Sequence, residues 1–225
     1  MRHLIFLFFL LIAQHGLAQN QNPFGLKVIS SVHDYKKSAR LDSNNTLIEI
    51  NKLIPDIQLD IRYASKNNFT GQAVYNQARA FARLPVVNAL EKVQQELKIS
   101  GLGLRIYDAY RPYEVTVKFF KLAVDKNFVA NPKDGSRHNR GCAVDLSLID
   151  LKTGTELLMP TPYDSFAPEA ASDYQKLPSK AIQNRKLLIS VMEKNGFRVL
   201  ANEWWHFDFI GWQKYDLMDI PFEKL

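Results

Sequence analysis

Alternation between apolar and polar residues predicts several β-strands along the chain. In residues 57–61, isoleucine and leucine side chains alternate with polar ones, a period of two that is typical of a half-buried strand. Residues 143–148 alternate in the same way and predict a strand with one apolar face and one polar face, the latter carrying Asp145. Three further predicted strands cover residues 102–107, 197–199 and 203–209.

Helical spacing of apolar residues predicts three main helices. The clearest covers residues 85–97, where Pro85 suits a first helical turn because its missing N–H costs nothing there. A second helix begins after Pro112, and a third begins at Ser179 and ends before Gly196. The apolar face of the second helix is predicted to carry Tyr113, Val117, Phe120 and Val124. Together with the strands, these helices predict a single-domain α+β fold, in which three helices pack around a mainly antiparallel sheet.

The first 45 residues follow a different pattern. Residues 1–18 combine Arg2, an apolar run of about ten residues and a small-residue cleavage site, which is typical of a secretory signal peptide. We therefore expect an exported protein, periplasmic or secreted. The apolar run is shorter than the about 20 residues of a spanning helix, and no later run approaches that length, so we expect no stable membrane insertion. Residues 19–45 are polar without a sustained period and predict an N-terminal extension that is partly ordered at best.

Charge and cysteine content argue against a nucleic-acid-binding protein and against a protein stabilised by internal disulfides. The formal net charge is +6, and the basic residues are spread along the chain without a stripe or motif, so we expect no nucleic-acid partner. The single cysteine, Cys142, excludes an internal disulfide framework. Cys142 could be a metal ligand, but strand alternation directs it away from the face that carries Asp145. We interpret it as a small packed residue.

Two distant stretches carry the candidate chemistry. Residues 136–145 read Ser-Arg-His-Asn-Arg-Gly-Cys-Ala-Val-Asp, and residues 203–206 read Glu-Trp-Trp-His. Either His138 or His206 alone would more simply be a hydrogen-bonded core or surface histidine. Together with an aspartate and a spare glutamate, they offer three ligands and a base, and catalytic zinc sites use three protein ligands and keep one position open.

These motifs also carry a family resemblance. The pattern S-x-H-x-x-G-x-A-x-D followed by E-x-W-H resembles the zinc-dependent D-Ala-D-Ala peptidases. Three further stretches narrow the resemblance to the D-alanyl-D-alanine dipeptidases of the vancomycin-resistance type. They are Arg-Tyr-Ala-Ser with Asn-Phe-Thr-Gly in residues 62–71, Asp-Ala-Tyr-Arg-Pro in residues 108–112, and the doubled tryptophan in residues 204–205. The likeness covers roughly residues 55–210, with the motifs in the expected order, and implies a catalytic domain in residues 46–225.

The resemblance implies a mechanism. His138, Asp145 and His206 would bind one Zn²⁺, whose open position holds a water of lowered pKa. Glu203 would be the general base, and Arg111 would stabilise the oxyanion that forms during peptide cleavage. The implied substrate is a small D,D-dipeptide, most simply D-Ala-D-Ala. Because residues three apart in a regular strand face opposite sides, Glu203 must lie in a turn or on a bulge to share the site with His206.

Three further residues are candidates for holding the charged ends of the substrate. They are Ser136, Tyr63 and Asp164, the last by likeness to a family segment whose aspartate helps to hold the substrate's amino group. Alternatives remain open for three of these assignments. Tyr63 could be a core residue with a solvated hydroxyl, Asp164 could be a turn or cap residue, and Arg111 could be a surface arginine paired with Asp108 or Glu114.

Two rival functions remain open at this point. A D,D-carboxypeptidase that trims peptidoglycan peptides would need a more open cleft, and the proline-rich loop of residues 158–177 could close or open its amino-terminal side. A non-catalytic binder of wall peptides would be favoured by loss of Glu203 or Arg111, and both are present. The sequence does not indicate the oligomeric state.

Overall fold

The computed structural model describes Asn22 and residues 24–225. The predicted signal peptide, residues 1–18, lies outside the described residues. The described helices are α1 (Val32–Leu41), α2 (Ile50–Leu53), α3 (Leu84–Lys98), α4 (Tyr113–Leu122) and α5 (Ser179–Lys194). The described strands are β1 (Val28–Ile29), β2 (Leu47–Glu49), β3 (Gln58–Leu59), β4 (Phe81–Arg83), β5 (Leu102–Asp108), β6 (Ala143–Asp150), β7 (Phe197–Leu200), β8 (Glu203–Phe209) and β9 (Leu217–Met218).

A five-stranded sheet with the order β3-β5-β6-β8-β7 forms the centre of the fold. The neighbours β5–β6, β6–β8 and β7–β8 run antiparallel, and β3–β5 alone runs parallel within this sheet. The prediction of an α+β fold with a mainly antiparallel sheet is therefore confirmed. Strand β6 lies in the middle and is buried on both faces from Ala143 to Ile149, so its polar face is enclosed by the protein.

The three predicted helices are present as α3, α4 and α5, and α3 contacts both β5 and α5. The predicted apolar face of α4 is largely wrong. Of its four residues only Tyr113 is buried, Val117 and Phe120 are half-buried, and Val124 lies beyond the end of the helix and is fully exposed. The side chains that the helix buries are Tyr113, Val115, Thr116 and Phe119. Thr116 can be buried because its hydroxyl accepts a hydrogen bond from the Asn139 side chain at 2.8 Å, which satisfies its polar group.

Residues 24–45, the described part of the polar segment 19–45 together with Asn22, are more ordered than the sequence predicts. Helix α1 is capped by the Ser31 side chain, which accepts a hydrogen bond from the backbone N–H of Asp34. Its buried residue, Tyr35, accepts a hydrogen bond at its hydroxyl from the backbone N–H of Leu47 at 2.9 Å. Strand β1 pairs in parallel with β9 near the carboxyl end of the chain. One buried aromatic and one strand pairing fix this segment, and neither produces a sustained apolar period.

The predicted strand of residues 57–61 is reduced to the two residues of β3. A turn precedes it, in which the N–H of Ile57 donates to the carbonyl of Ile54, and a short 3-10 helix follows at Arg62–Ala64. Ile57 and Ile61 are nevertheless buried, as their alternation predicts. Among the residues that the structure describes, none of the helices combines the length and the apolar character that a transmembrane span requires.

Candidate metal centre and active site

Three predicted ligands meet where β6 and β8 pair. Asp145 and His206 lie directly opposite each other in the antiparallel register, and His138 lies on the short 3-10 helix that precedes β6. His206 Nδ1 is 3.0 Å from Asp145 Oδ1 and 3.2 Å from His138 Nε2, and His138 Nε2 is 3.4 Å from Asp145 Oδ1. All three ligand atoms lie within 4.8 Å of one another.

A glycine makes the connection between His138 and β6 possible. Gly141 ends the 3-10 helix in the left-handed region, with φ of 68°, which residues with a side chain rarely adopt. A Cβ at this position would also lie 2.7 Å from the Leu47 side chain. The turn therefore requires glycine, and it directs the chain from His138 into the strand that carries Asp145.

Each ligand side chain is oriented by a second partner at its far atom. The other ring nitrogen of His138, Nδ1, lies 2.7 Å from the carbonyl oxygen of Ala109. The Nε2 atom of His206 lies 3.0 Å from Asp208 Oδ1, and the Tyr163 hydroxyl donates to Asp145 Oδ2 at 2.9 Å. Such partners fix the orientation of metal ligands and raise their basicity.

One buried atom shows that this cluster fits a cation. Asp145 Oδ1 is buried and has no hydrogen-bond partner, although it faces two imidazole nitrogens. A buried carboxylate oxygen without a partner is costly unless it coordinates a metal or is otherwise paired. Two imidazole nitrogens and one carboxylate oxygen are the ligand types of catalytic zinc sites.

The charge balance of the cluster leads to the same interpretation. Burial lowers the pKa of His206, but the Asp145 and Asp208 carboxylates beside its ring outweigh this and raise the pKa to about 10. Burial also opposes ionisation of Asp145, yet His138 and His206 hold its pKa well below the usual value. The His206 nitrogen next to Asp145 therefore attracts a positive charge strongly, and a bound metal ion would replace the proton there.

Glu203 reaches the same site through an irregularity in the sheet. It is the first residue of β8, and it pairs with Leu200 after a register shift between Val199 and Leu200. This confirms the expectation that Glu203 departs from regular strand geometry. Its Oε2 atom is 3.7 Å from His206 Nδ1. Burial raises the pKa of Glu203 to about 7, the range in which a carboxylate can both accept and return a proton at neutral pH.

Arg111 lines the same cavity and is only 8% exposed. Its Nη2 and Nε atoms donate to Asp108 Oδ2 at 2.6 and 3.0 Å, so the pairing with Asp108 is present, but the arginine is buried and is not the surface residue of that alternative. The Tyr75 hydroxyl donates to the other Asp108 oxygen at 2.8 Å. Burial lowers the pKa of Arg111, but the adjacent Asp108 charge dominates and raises it well above the ordinary value. The guanidinium is therefore a fixed positive charge that faces the cavity.

All eight predicted site residues line one cavity of about 240 Å³. The structure thus brings together the three ligands, Glu203 and Arg111 with the three substrate-binding candidates, Ser136, Tyr63 and Asp164. Ser136 is 6% exposed, and its hydroxyl accepts a hydrogen bond from the backbone N–H of His138 at 3.2 Å.

Tyr63 and Asp164 form one side of this cavity. The Tyr63 hydroxyl donates to Asp164 Oδ1 at 3.1 Å, and the backbone N–H of Phe69 donates to Asp164 Oδ2 at 3.3 Å. Asp164 has a φ of 68°, a conformation that costs energy in a residue with a side chain and that occurs often at functional sites. Burial raises the pKa of Asp164 to about 6. Tyr63 is both a core residue, 3% exposed, and part of the cavity wall.

One contributor, Tyr163, was not singled out from the sequence, and it holds the Asp145 carboxylate. It directly precedes Asp164, and that proximity was the available signal. Cys142 is fully buried, as its interpretation as a packed residue requires, and burial raises the pKa of its thiol to about 12.

Comparisons with known proteins show the family of this chain. The D-ala-D-ala dipeptidase family model (Peptidase_M15) matches residues 43–223. The D-alanyl-D-alanine dipeptidase of Escherichia coli (strain K12) is 33% identical over 178 residues, 79% of this chain and 92% of that protein. The protein of the same name from Enterococcus faecalis is 28% identical over 189 residues, 74% of this chain and 92% of that protein. Among solved structures, the LdcB LD-carboxypeptidase has a TM-score of 0.40 and 21% identity, covering 60% of this chain and 61% of that one.

Proposed function

This chain belongs to the D-Ala-D-Ala dipeptidase family of zinc metallopeptidases, and on that premise we propose that it hydrolyses the peptide bond of D-Ala-D-Ala and similar small D,D-dipeptides. The observation that carries the proposal is the buried, unpartnered Oδ1 of Asp145 between two imidazole nitrogens, in a cavity that also contains Glu203 and Arg111. The cavity lies below the roughly 300–1,000 Å³ of typical ligand pockets, which supports a substrate no larger than a dipeptide.

His138 Nε2, Asp145 Oδ1 and His206 Nδ1 would hold the zinc ion. When bound there, zinc would supply Lewis-acid chemistry at the scissile carbonyl. The residues around the three ligands keep them in one arrangement. Asp208 and the carbonyl of Ala109 leave the inward-facing nitrogen of each imidazole available, and Tyr163 leaves Oδ1 of the aspartate available.

Glu203 would move the proton. Its carboxylate accepts a proton from the attacking water, whose oxygen adds to the scissile carbonyl carbon. It then returns that proton to the leaving amine nitrogen as the carbon–nitrogen bond breaks. A carboxyl with a pKa of about 7 suits both steps, because neither its protonated nor its ionised form dominates at neutral pH.

Arg111 would stabilise the negative charge that develops on the carbonyl oxygen. Its side chain is held by two hydrogen bonds to Asp108 and lies 4.7 Å over the ring of Phe119, so its donors need little reorganisation when the charge appears. The buried position of Arg111 in the cavity wall also strengthens its attraction to the oxyanion, because nearby water does not screen the two charges.

The substrate-binding candidates offer a partner for each charged end of a zwitterionic dipeptide. Asp164, supported by the Tyr63 hydroxyl, would pair with the substrate's ammonium group. Ser136 would accommodate the carboxylate end, next to Arg137, a partly exposed cation of the cavity wall that also pairs with Asp208 at 3.5 Å. This assignment places the scissile bond between the two, next to the metal ligands and Glu203.

The test is amine release by the purified protein, with added zinc and with a chelator. The substrates are D-Ala-D-Ala, L-Ala-L-Ala and an amino-blocked peptide ending in D-Ala-D-Ala. We expect chelator-sensitive cleavage of the free D,D-dipeptide alone. Cleavage of the blocked peptide would replace the dipeptidase with a carboxypeptidase, and zinc binding without any cleavage would favour a non-catalytic binder.

We also propose that the enzyme acts after export, as a periplasmic or secreted protein. The basis is the sequence of residues 1–18, with its basic start, apolar run and small-residue cleavage site. Amino-terminal sequencing of the protein recovered from the cell envelope or medium should begin near Gln19. Recovery of uncleaved protein from the cytoplasm would contradict the proposal.

A further inference from the structure

Two loops that border the cavity are joined by one aromatic contact. The first connects α4 to β6 and covers residues 123–142, and the second connects β6 to α5 and covers residues 151–178. Phe128 of the first loop stacks on Phe166 of the second, with ring centroids 4.6 Å apart and planes inclined by 14°. Both side chains are half-buried, and Phe128 lines the cavity. The contact, which we call the aromatic bridge, therefore lies at the rim of the site.

The aromatic bridge lies on the side of the cavity that carries Asp164. Phe166 is two residues beyond Asp164 along the chain, and its ring packs 5.6 Å from that of Phe69. The backbone N–H of Phe69 donates to Asp164 Oδ2. Phe69 also packs against Phe119, which lies under Arg111. The bridge is thus connected by direct packing to the group that would hold the substrate's ammonium.

We propose that Phe128 and Phe166 form a barrier that excludes peptides extended beyond the ammonium position of a dipeptide. The inference rests on the proposed function, because it concerns which peptides the same site accepts as substrates. A residue added at the amino end would have to pass the point where the two rings meet. Stacked aromatic rings attract each other beyond the burial of their surface, so an incoming chain would have to displace a favourable contact.

The proposal distinguishes the two ends of the substrate. The proposed carboxylate end is bordered by Ser136 and Arg137, and Arg137 pairs with Asp208 at 3.5 Å and packs on the Trp212 ring. The aromatic bridge instead packs on Phe69, whose backbone N–H contacts Asp164. Opening the bridge should therefore admit peptides extended at the amino end and leave discrimination at the carboxyl end as it was. A general loosening of the site would instead admit both kinds of peptide.

The experiment compares Phe128→Ala, Phe166→Ala and the double variant with the unmodified protein. Three substrates are measured by mass spectrometry: D-Ala-D-Ala, L-Ala-D-Ala-D-Ala and D-Ala-D-Ala-Gly. We expect kcat/KM for L-Ala-D-Ala-D-Ala, relative to that for D-Ala-D-Ala, to rise about tenfold or more in each single variant. The relative value for D-Ala-D-Ala-Gly should not rise. The double variant should resemble the single variants, because both substitutions remove the same contact.

Controls separate access from folding and from chemistry. Phe24→Ala removes a half-buried phenylalanine that does not line the cavity and should leave all three ratios unchanged. Unfolding temperature and zinc content identify any variant that has lost its structure. Calorimetric binding of L-Ala-D-Ala-D-Ala in a Glu203→Gln background reports entry without turnover, and either ring substitution should tighten it by a similar factor.

The outcomes distinguish this inference from the proposed function. Folded ring variants that still neither bind nor cleave L-Ala-D-Ala-D-Ala would overturn the barrier and leave the dipeptidase intact. An equal gain for D-Ala-D-Ala-Gly would overturn it as well, as would an unmodified protein that cleaves the tripeptide as readily as the dipeptide. An unmodified protein that neither binds nor cleaves any of the three peptides would overturn the proposed function, and the barrier with it.

Discussion

The hydrogen bond from Tyr163 to Asp145 should determine how tightly the site holds zinc. Tyr163→Phe removes only the hydroxyl that donates to Asp145 Oδ2 at 2.9 Å. The phenyl ring should remain in place, because the Tyr163 ring stacks on Tyr107 at 4.5 Å and packs against Trp205 at 5.5 Å. The variant therefore isolates the contribution of one hydrogen bond to a metal ligand.

The expected magnitude follows from the burial of that hydrogen bond. A hydrogen bond to a charged group contributes about 1.5–3 kcal/mol, and both side chains here are at least 92% buried. Loss of a partner that orients a metal ligand typically weakens metal binding by about 10–100-fold, which corresponds to about 1.4–2.7 kcal/mol. The two ranges agree. We expect the dissociation constant for zinc to rise by about 10–100-fold in Tyr163→Phe.

Competition with a chromophoric chelator measures this constant without any substrate. Tyr107→Phe is the matched control, since it also removes a hydroxyl from a buried tyrosine, but that hydroxyl donates to Glu156, which is not a predicted ligand. Tyr107→Phe should bind zinc as tightly as the unmodified protein. Equal zinc affinity in Tyr163→Phe and the unmodified protein would refute the reasoning.

Four further predictions concern the other side chains. Glu203→Ala should keep its zinc and lose about 10²–10⁴-fold in kcat, and near-normal turnover would remove it as the base. His138→Ala should lose zinc, so full metal content after dialysis would contradict its assignment as a ligand. Arg111→Ala should lower kcat by about 10²–10³-fold with a much smaller change in KM, in steady-state assays of D-Ala-D-Ala. Because the pKa of Asp164 is about 6, its carboxyl becomes neutral below that pH and no longer attracts the substrate's ammonium, so KM should rise as pH falls. This acid limb should disappear in Asp164→Asn, and its persistence there would assign it to another group.

Residue type and short spacing in the sequence were enough to identify the candidate chemistry. His138 and Asp145 are seven positions apart, and Glu203 and His206 are three apart, so their local environment is largely set by the turn and strand that carry them. Strand alternation placed Asp145 on the polar face of β6. Likewise, the spacing of apolar residues predicted helix α3, because a period of 3.6 is a property of the helix itself.

Contacts between distant segments were decided only by the tertiary structure. The register that sets Asp145 opposite His206 joins residues 61 positions apart, and a shift of one residue would turn every side chain of a strand to its other face. Such registers depend on the whole set of cross-strand hydrogen bonds and packed side chains, and periodicity within either strand does not contain that information. The same holds for the Tyr163–Asp145 hydrogen bond and for the Phe128–Phe166 stack.

The N-terminal segment likewise owes its structure to contacts with distant residues, which its own sequence does not reveal. Its polar composition predicted little order, because composition measures how much apolar surface a segment can bury on its own. In the structure, α1 is held by the single buried ring of Tyr35, and β1 by its pairing with β9, so the partner surfaces provided elsewhere in the fold supply the stabilisation. The sequence by itself thus determined which residues can do chemistry and where elements begin, and the tertiary structure decided which of them meet. The physical reason is that local propensity acts over a few residues, whereas burial and strand pairing depend on the whole chain.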